Sequence, residues 1–174
     1  AYDVPMETIK RQLATFSGQR QNILKIHGYT VIDDAYNASP DSMKAGLKIL
    51  SDYQDSGRKV AVLSDMLELG PDSPDYHREV GEFLGTADIT DLYITGTLSK
   101  EYAEAAQKKN LSLKTKWFSS NDELISYLKD YLKEQGKDVL ITHYADSLKY
   151  ICETVFKWNG KKDEKGRQLL IDIG

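Results

Sequence analysis

The sequence predicts an α/β fold in which a mostly parallel sheet of about six strands is covered by helices on both faces. Strand-like and helix-like segments alternate along most of the chain, a pattern typical of parallel strands joined by helices. Two of the strand-like segments, 59–64 and 139–142, are continuous apolar runs, as expected for strands buried on both faces. The helical segments carry apolar residues three or four positions apart, so each has one face that can pack on the sheet.

The predicted elements can be justified in chain order. Helices are predicted at 6–16, 40–53, 75–84, 99–109 and 121–134, and a last one ends near Trp158. Strands are predicted at 22–27, 29–33, 59–64, 92–95, 113–118 and 139–142, and an apolar run follows at 169–173. Gly28 separates the first two strands and suits the tight turn of a hairpin. Pro40 suits the first turn of its helix, and either Ser120 or Asn121 can cap the helix at 121–134.

Composition excludes several classes of function. The net charge is -4 and basic residues are interspersed with acidic ones, so we expect no nucleic-acid surface. Cys152 is the only cysteine, which excludes an internal disulfide and indicates a reducing compartment. No apolar run approaches the ~20 residues of a membrane span, so we expect a cytoplasmic protein that does not enter a membrane. We also expect a monomer and, because the chain opens at Ala1 without Met, a piece of a longer protein.

The segment 31–43 is the most informative for chemistry. It is a strand that runs into two carboxylates, Asp33 and Asp34, then the amide Asn37, and then a helix start. Ligands of open α/β sheets bind beyond the carboxyl ends of the strands, where acidic residues accept hydrogen bonds from ribose hydroxyls. The same three residues could instead form an Asx-type turn and cap the helix. Spacing alone leaves both interpretations open.

Several motifs in order resemble one family. The string DDAYNASPDSM at 33–43 is similar to the signature Asp-Asp-Ser-Tyr-Asn-Ala-Asn-Pro-Asp-Ser-Met of the Mur ligase C-terminal domain, in the form found in MurF-type ligases. The string SDMLELG at 64–70 resembles the family's Gly-Asp-Met-Leu-Glu-Leu-Gly. A His-x-x-x-Gly continuation matches at His77 and Gly81, and a linker segment matches at 16–20. The order and spacing of these pieces make the resemblance specific.

The resemblance implies a domain organisation and an activity. Residues 1–20 would be the end of a central domain and its linker, and 21–174 a Rossmann-like C-terminal domain. A Mur ligase also has an N-terminal domain for the UDP-sugar precursor, and its central domain grips the phosphates of ATP with Mg2+. The implied reaction adds D-Ala-D-Ala to UDP-N-acetylmuramoyl-tripeptide for peptidoglycan synthesis, through an acyl-phosphate, with release of ADP and phosphate. The C-terminal domain alone would be inactive.

The resemblance also implies site residues, with no catalytic or metal-binding residue in this domain. By position, the residues implied to bind ATP are Arg20 at the adenine, Asp34 at the ribose, Tyr36 in the pocket wall and Asn37 near ribose or phosphate. The residues implied to border the dipeptide are Asp65, Met66, Glu68 and Leu69. From the residues themselves, Met66 and Leu69 also fit a core-facing role, and His77 fits a structural or capping group better than a base.

The sequence departs from the family pattern at several points. No Gly-x-x-x-x-Gly-Lys-Ser/Thr loop occurs, so ATP phosphates and Mg2+ would depend on the central domain. Single substitutions replace a family residue within otherwise matching strings, at Gln19, Ala35, Ser39 and Ser64. The segment 142–148, THYADSL, stands where the family has Lys-Gly-Ser-Arg-Gly-Met, so two cationic side chains are replaced and an aspartate is added.

Two further functions compete with the ligase interpretation. The altered segment 142–148 favours a diverged, non-catalytic module that binds a nucleotide or a protein partner. Asp33 and Asp34 resemble the acidic pair of a receiver-like domain, but the continuation Tyr-Asn-Ala-Ser-Pro suits the ligase far better. A phosphate-binding Gly-Lys-Thr loop upstream in the reading frame would distinguish the ligase from a free-standing module.

Overall fold

The computed structural model describes residues 22–26, 29–34, 38–54, 57–135 and 138–142. Several predicted segments lie outside these residues: the helix at 6–16, the helix that ends near Trp158 and the final apolar run. Within the described residues, no helix is both long and apolar enough to cross a membrane.

A six-stranded sheet forms the centre of the fold. Its strands are β1 (Asn22–Ile26), β2 (Tyr29–Asp33), β3 (Arg58–Leu63), β4 (Asp91–Thr95), β5 (Lys114–Phe118) and β6 (Asp138–Thr142). The strand order is β1-β2-β6-β3-β4-β5. β1 pairs with β2 in antiparallel fashion, and every other neighbouring pair is parallel. The predicted hairpin and mostly parallel sheet are therefore confirmed.

Four helices connect these strands within the described residues. They are α1 (Pro40–Asp52), α2 (Ser73–Leu84), α3 (Lys100–Lys109) and α4 (Asn121–Gln135). A short 3-10 turn at Gly70–Asp72 leads directly into α2, which begins two residues earlier than predicted because Pro74 occupies its first turn. Of the two predicted caps for α4, Ser120 has this role, since its Oγ accepts from the Glu123 N–H at 3.2 Å.

Helices cover both faces of the sheet, as predicted. Side chains from α1, α2 and α3 join Ile32 and Leu63 in one core, whereas α4 joins Val31 and Val62 in the other. Neighbouring residues of one strand point to opposite faces, so β2, β3 and β4 each contribute to both cores. This is why the parallel strands read as continuous apolar runs rather than as alternating ones.

α2 and α3 pack unusually close to each other at Gly81. A Cβ at position 81 would lie 2.5 Å from the Tyr102 carbonyl oxygen and 2.8 Å from the Ala105 Cβ. Only glycine fits this contact, which gives a packing reason for the glycine of the His-x-x-x-Gly motif. The close approach also brings the start of α3 next to His77 on α2.

Candidate functional site

The carboxyl ends of the parallel strands form one edge of the sheet, which we call the carboxyl edge. Thr142 at the end of β6 pairs with Asp33 of β2 on one side and with Val62 of β3 on the other. The two motifs recognised in the sequence therefore leave the sheet on either side of β6, roughly 10 Å apart at the usual strand spacing. The segment that departs from the family, 142–148, begins between them; residues 143–148 lie outside the described residues.

Asp34 follows β2 directly and is 4% exposed. The helix behind it is capped by Ser39: its Oγ accepts from the Ser42 N–H at 3.4 Å, and the Ser42 Oγ accepts from the Ser39 N–H at 2.9 Å. The capping role that Asp33, Asp34 or Asn37 could have filled is thus taken by Ser39. Arg20, Tyr36 and Asn37 lie outside the described residues, so their ATP-binding roles remain predictions.

Asp65 joins two loops of the carboxyl edge. Its carboxylate accepts hydrogen bonds from the backbone N–H of Thr97 at 2.9 Å and of Ser99 at 2.7 Å. Gly96, at φ 108°, lies so close that a Cβ there would be 2.4 Å from Asp65 Oδ1. The side chain therefore ties the loop after β3 to the loop after β4, a positioning task rather than an evident ligand contact.

Two buried side chains hold the residues on either side of Asp65. The Tyr102 hydroxyl donates to the Ser64 carbonyl oxygen at 3.1 Å, and burial, together with the charge of Asp65, raises the pKa of Tyr102. The His77 Nε2 accepts from the Met66 N–H at 3.0 Å. The imidazole also lies against the Tyr102 ring, with 4.8 Å between the centroids.

The two bonds of His77 define its protonation state. Nδ1 lies 2.7 Å from the Ser73 carbonyl oxygen, which can only accept, so Nδ1 carries the proton. Nε2 then has the lone pair that accepts from the Met66 N–H. The imidazole is neutral, fully buried and bonded at both nitrogens within the fold, which agrees with the structural role expected from its sequence position.

The four residues predicted to border the dipeptide differ in their surroundings. Met66 is 1% exposed and belongs to the core that α1, α2 and α3 share, and Leu69 packs against that core. Glu68 is exposed and has φ 61°, the left-handed region that non-glycine residues seldom adopt. Leu67, which the sequence did not single out, is 61% exposed. The exposed tip of this loop is therefore Leu67 with Glu68.

The edge strand β5 adds an aromatic side chain to the same edge. The Trp117 indole N–H donates to the Gly96 carbonyl oxygen at 2.8 Å, and the Lys100 ammonium lies 4.0 Å from the centre of the ring. Neither Trp117 nor Tyr102 was predicted as a site residue. Their hydrogen bonds join residues 21 and 38 positions apart, and no local motif signals such a contact.

The described side chains of the carboxyl edge suit ligand binding. Carboxylates and the backbone N–H groups of helix starts can bind hydroxyls, ammonium groups and phosphates. Open α/β folds bind nucleotides at this edge, so the architecture and the motifs define a Rossmann-like ligand-binding domain.

Comparison with known proteins identifies the family. The family described as "Mur ligase, glutamate ligase domain" matches residues 19–142. The UDP-N-acetylmuramoyl-tripeptide–D-alanyl-D-alanine ligase of Buchnera aphidicola subsp. Baizongia pistaciae is 35% identical over 133 residues, covering 75% of this chain and 27% of that protein. The Bacillus subtilis ligase of the same name is 33% identical over 115 residues, covering 66% and 25%. The chain belongs to the Mur ligase family and spans about a quarter of these relatives.

Solved structures agree in fold. MurF from Acinetobacter baumannii superposes with a TM-score of 0.71 at 25% identity, covering 88% of this chain and 34% of that one. MurF from Thermotoga maritima, solved in complex with ADP, gives a TM-score of 0.61 at 25% identity, covering 87% and 35%. The expected Mur ligase C-terminal fold is therefore confirmed. The domain boundary at residue 20 remains a prediction.

Proposed function

We propose that this chain is the C-terminal part of an ATP-dependent ligase that joins D-Ala-D-Ala to UDP-N-acetylmuramoyl-tripeptide in peptidoglycan synthesis. The observation that carries the proposal is the arrangement of its two family motifs, which leave the same edge of the sheet on either side of β6. One motif would serve the nucleotide and the other the amine substrate. The names of the relatives support the same reaction.

The nucleotide side of the proposal rests on Asp34. A carboxylate directly after a strand can accept from ribose hydroxyls, and the start of the next helix offers backbone N–H groups that favour a nearby anion. ATP and Mg2+ would supply the activating phosphate chemistry, held mainly by the central domain of the full-length protein. Arg20, Tyr36 and Asn37 would complete this side of the nucleotide site.

The amine side rests on the loop after β3. Its exposed carboxylate, Glu68, and its exposed leucine, Leu67, suit a small dipeptide that carries one ammonium group and two methyl side chains. The amide bond would form when that amine, after losing a proton, attacks the acyl-phosphate carbon of the precursor, breaking its bond to the phosphate oxygen and releasing phosphate. Together with the missing domains, the two sides would bring the dipeptide and the activated carboxyl into contact.

The primary test measures phosphate release by the full-length protein. The mixture contains ATP, Mg2+, UDP-N-acetylmuramoyl-tripeptide and D-Ala-D-Ala, and each component is omitted in turn. Release that requires both the precursor and the dipeptide supports the proposal. A folded protein that binds nucleotide but releases no phosphate would contradict it.

Replacing Asp34 tests the nucleotide side. We expect Asp34→Ala to raise the KM for ATP about tenfold, because a hydrogen-bonded ribose contact contributes on the order of 1.4 kcal/mol. Asp52→Ala, at the other end of α1 and exposed, is the matched control and should leave the KM unchanged. An unchanged KM for ATP in both variants would remove Asp34 from the nucleotide site.

A second candidate function is favoured by one observation. The segment 142–148 has no lysine or arginine where the family has both, and it begins between the two motifs. A charge-assisted contact to a phosphate or a carboxylate would be lost there. Nucleotide binding without dipeptide-dependent phosphate release would identify a diverged binding module instead.

A further inference from the structure

The loop after β3 is held at three consecutive residues, 64–66. Each of them is bonded to a different part of the fold: Ser64 to α3, Asp65 to the loop after β4, and Met66 to α2. The next two residues, Leu67 and Glu68, are exposed. The direction in which the exposed tip leaves the fold is therefore set by the three residues before it.

His77 bonds to the last of these three residues. Both of its nitrogens are bonded within the fold and its side chain is fully buried, so it cannot touch a ligand at the carboxyl edge. It acts on the backbone N–H of Met66, the residue immediately before the tip. Phenylalanine would keep an aromatic ring beside Tyr102, but it could not accept that hydrogen bond.

The tip itself has the properties of a ligand contact. Glu68 is held in the left-handed region at φ 61° although it is not glycine, and such a conformation persists only where the surroundings impose it. Leu67 presents an apolar surface and Glu68 a carboxylate to the same edge. A small apolar molecule that carries an ammonium group matches this pair.

We infer that His77 is a positioning residue for the amine substrate, acting through the Met66 N–H to fix the Leu67–Glu68 tip. The Glu68 carboxylate accepts from the ammonium group of the bound dipeptide, and Leu67 packs against its methyl groups. The identity of this substrate rests on the proposed function. The mechanical part, that His77 orders the tip, depends on the hydrogen bonds alone.

The kinetic test compares two replacements of His77 in the full-length protein. His77→Phe keeps a ring but loses the acceptor for the Met66 N–H together with the donor to Ser73, and we expect the KM for D-Ala-D-Ala to rise about tenfold while the KM for ATP stays within about twofold. His77→Gln loses the ring but keeps an acceptor, so its KM for D-Ala-D-Ala should lie close to that of the unmutated protein. Leu84→Ala weakens the core under the same helix and should lower the melting temperature without moving either KM.

A second measurement does not depend on the reaction. Backbone hydrogen exchange at residues 66–68 of the full-length protein should be about tenfold faster in His77→Phe than in the parent protein, and close to normal in His77→Gln. Exchange in β4 should not change in either variant.

The outcomes separate the inference from the proposed function. An active ligase in which His77→Phe leaves both the KM for the dipeptide and the exchange at 66–68 unchanged would overturn the inference alone. If the KM for the dipeptide rose in step with the loss of melting temperature across all three variants, His77 would act only as a core residue. That result would also overturn the inference. A full-length protein without D-Ala-D-Ala-dependent activity would overturn the proposed function and the substrate assigned to the tip. Faster hydrogen exchange in His77→Phe, confined to residues 66–68, would still support ordering of the tip by His77.

Discussion

The two edges of the sheet satisfy their carboxylates in different ways. At the amino ends of the strands, Arg58 pairs with Asp91, with its Nε 3.0 Å from the carboxylate, and Lys59 lies 2.8 Å from Asp88. At the carboxyl edge, Asp65 accepts from backbone N–H groups. Glu123 likewise accepts from the Ser119 N–H and hydroxyl. Cationic side chains therefore bind these two carboxylates at the amino edge, whereas N–H and hydroxyl groups bind these two in the loops of the carboxyl edge. Carboxylates in the first turns of the helices, Asp41, Asp75 and Glu101, pair instead with Lys44 or Arg78.

The polarity of the helices explains the difference. In a parallel α/β sheet each helix starts near the carboxyl edge and ends near the amino edge, so unpaired N–H groups collect at one edge and unpaired carbonyls at the other. The Lys59 ammonium donates to the carbonyl oxygen of Ser51, near the end of α1. Charges at the amino edge are therefore neutralised within the fold, whereas the carboxyl edge keeps donors that suit anionic ligands. We therefore expect the amino edge to contribute mainly to stability and the carboxyl edge to ligand binding.

The largest expected effect on stability belongs to the amino edge. Asp91→Asn removes the charge that raises the pKa of Arg58 and leaves the guanidinium half-buried beside a neutral amide. We expect the free energy of unfolding to fall by about 2–3 kcal/mol, with the KM values of the full-length protein unchanged. Urea denaturation measures the first quantity and steady-state kinetics the second.

Asp88→Asn is the matched control at the same edge. The Asp88 side chain is 77% exposed, so its loss should cost less than about 1 kcal/mol. The KM for the dipeptide can be expressed as a free energy and compared with the free energy of unfolding. If Asp91→Asn changed the first by more than the second, the assignment of the two edges would have to be reversed.

The next largest effect belongs to the carboxyl edge. In Asp65→Asn only the amide oxygen can accept, so one of the two N–H groups, of Thr97 or Ser99, loses its carboxylate acceptor. We expect unfolding free energy to fall by about 1–2 kcal/mol and, unlike at Asp91, the KM for D-Ala-D-Ala to rise. Calorimetry with parallel kinetics measures both. A loss of stability with unchanged kinetics would make Asp65 a structural residue only.

Much of the fold could be predicted from the sequence, because its signals are local. The apolar run of β3 and the helical spacing of Met43, Leu47 and Leu50 in α1 each lie within one element. The insertion of β6 between β2 and β3 could not be predicted in this way, since strand order depends on which strands pair across long separations. That insertion is what separates the two motifs of the candidate site.

The placement of the two motifs could be predicted from the sequence, but the surroundings of their residues could be predicted less well. Asp34 and Asp65 follow β2 and β3 at the carboxyl edge, as the strand-to-helix pattern predicts, and their ligand-binding roles remain predictions. The family resemblance grouped Met66 with the ligand contacts, whereas the residue itself fitted the core position that the structure shows, and the exposed Leu67 was not singled out. A loop has no fixed period that tells which side chains face inward. Tyr102 was missed because its contact with Ser64 spans 38 residues.

The smallest expected effect on stability is that of replacing Glu123, a solvent-exposed carboxylate at the carboxyl edge. Hydrogen bonds from the Ser119 side chain and backbone lower the pKa of Glu123. A lowered pKa in the folded state gives stability that is present above the unfolded value, near about 4.3, and is lost as the pH falls through the folded pKa. Parent and Glu123→Gln proteins should therefore differ slightly in melting temperature near pH 7 and converge as the pH falls below the folded pKa of Glu123, where both side chains are neutral. A difference that stayed the same at both pH values would show that the side chain acts through its shape, and the contrast between the two edges would then not extend to α4.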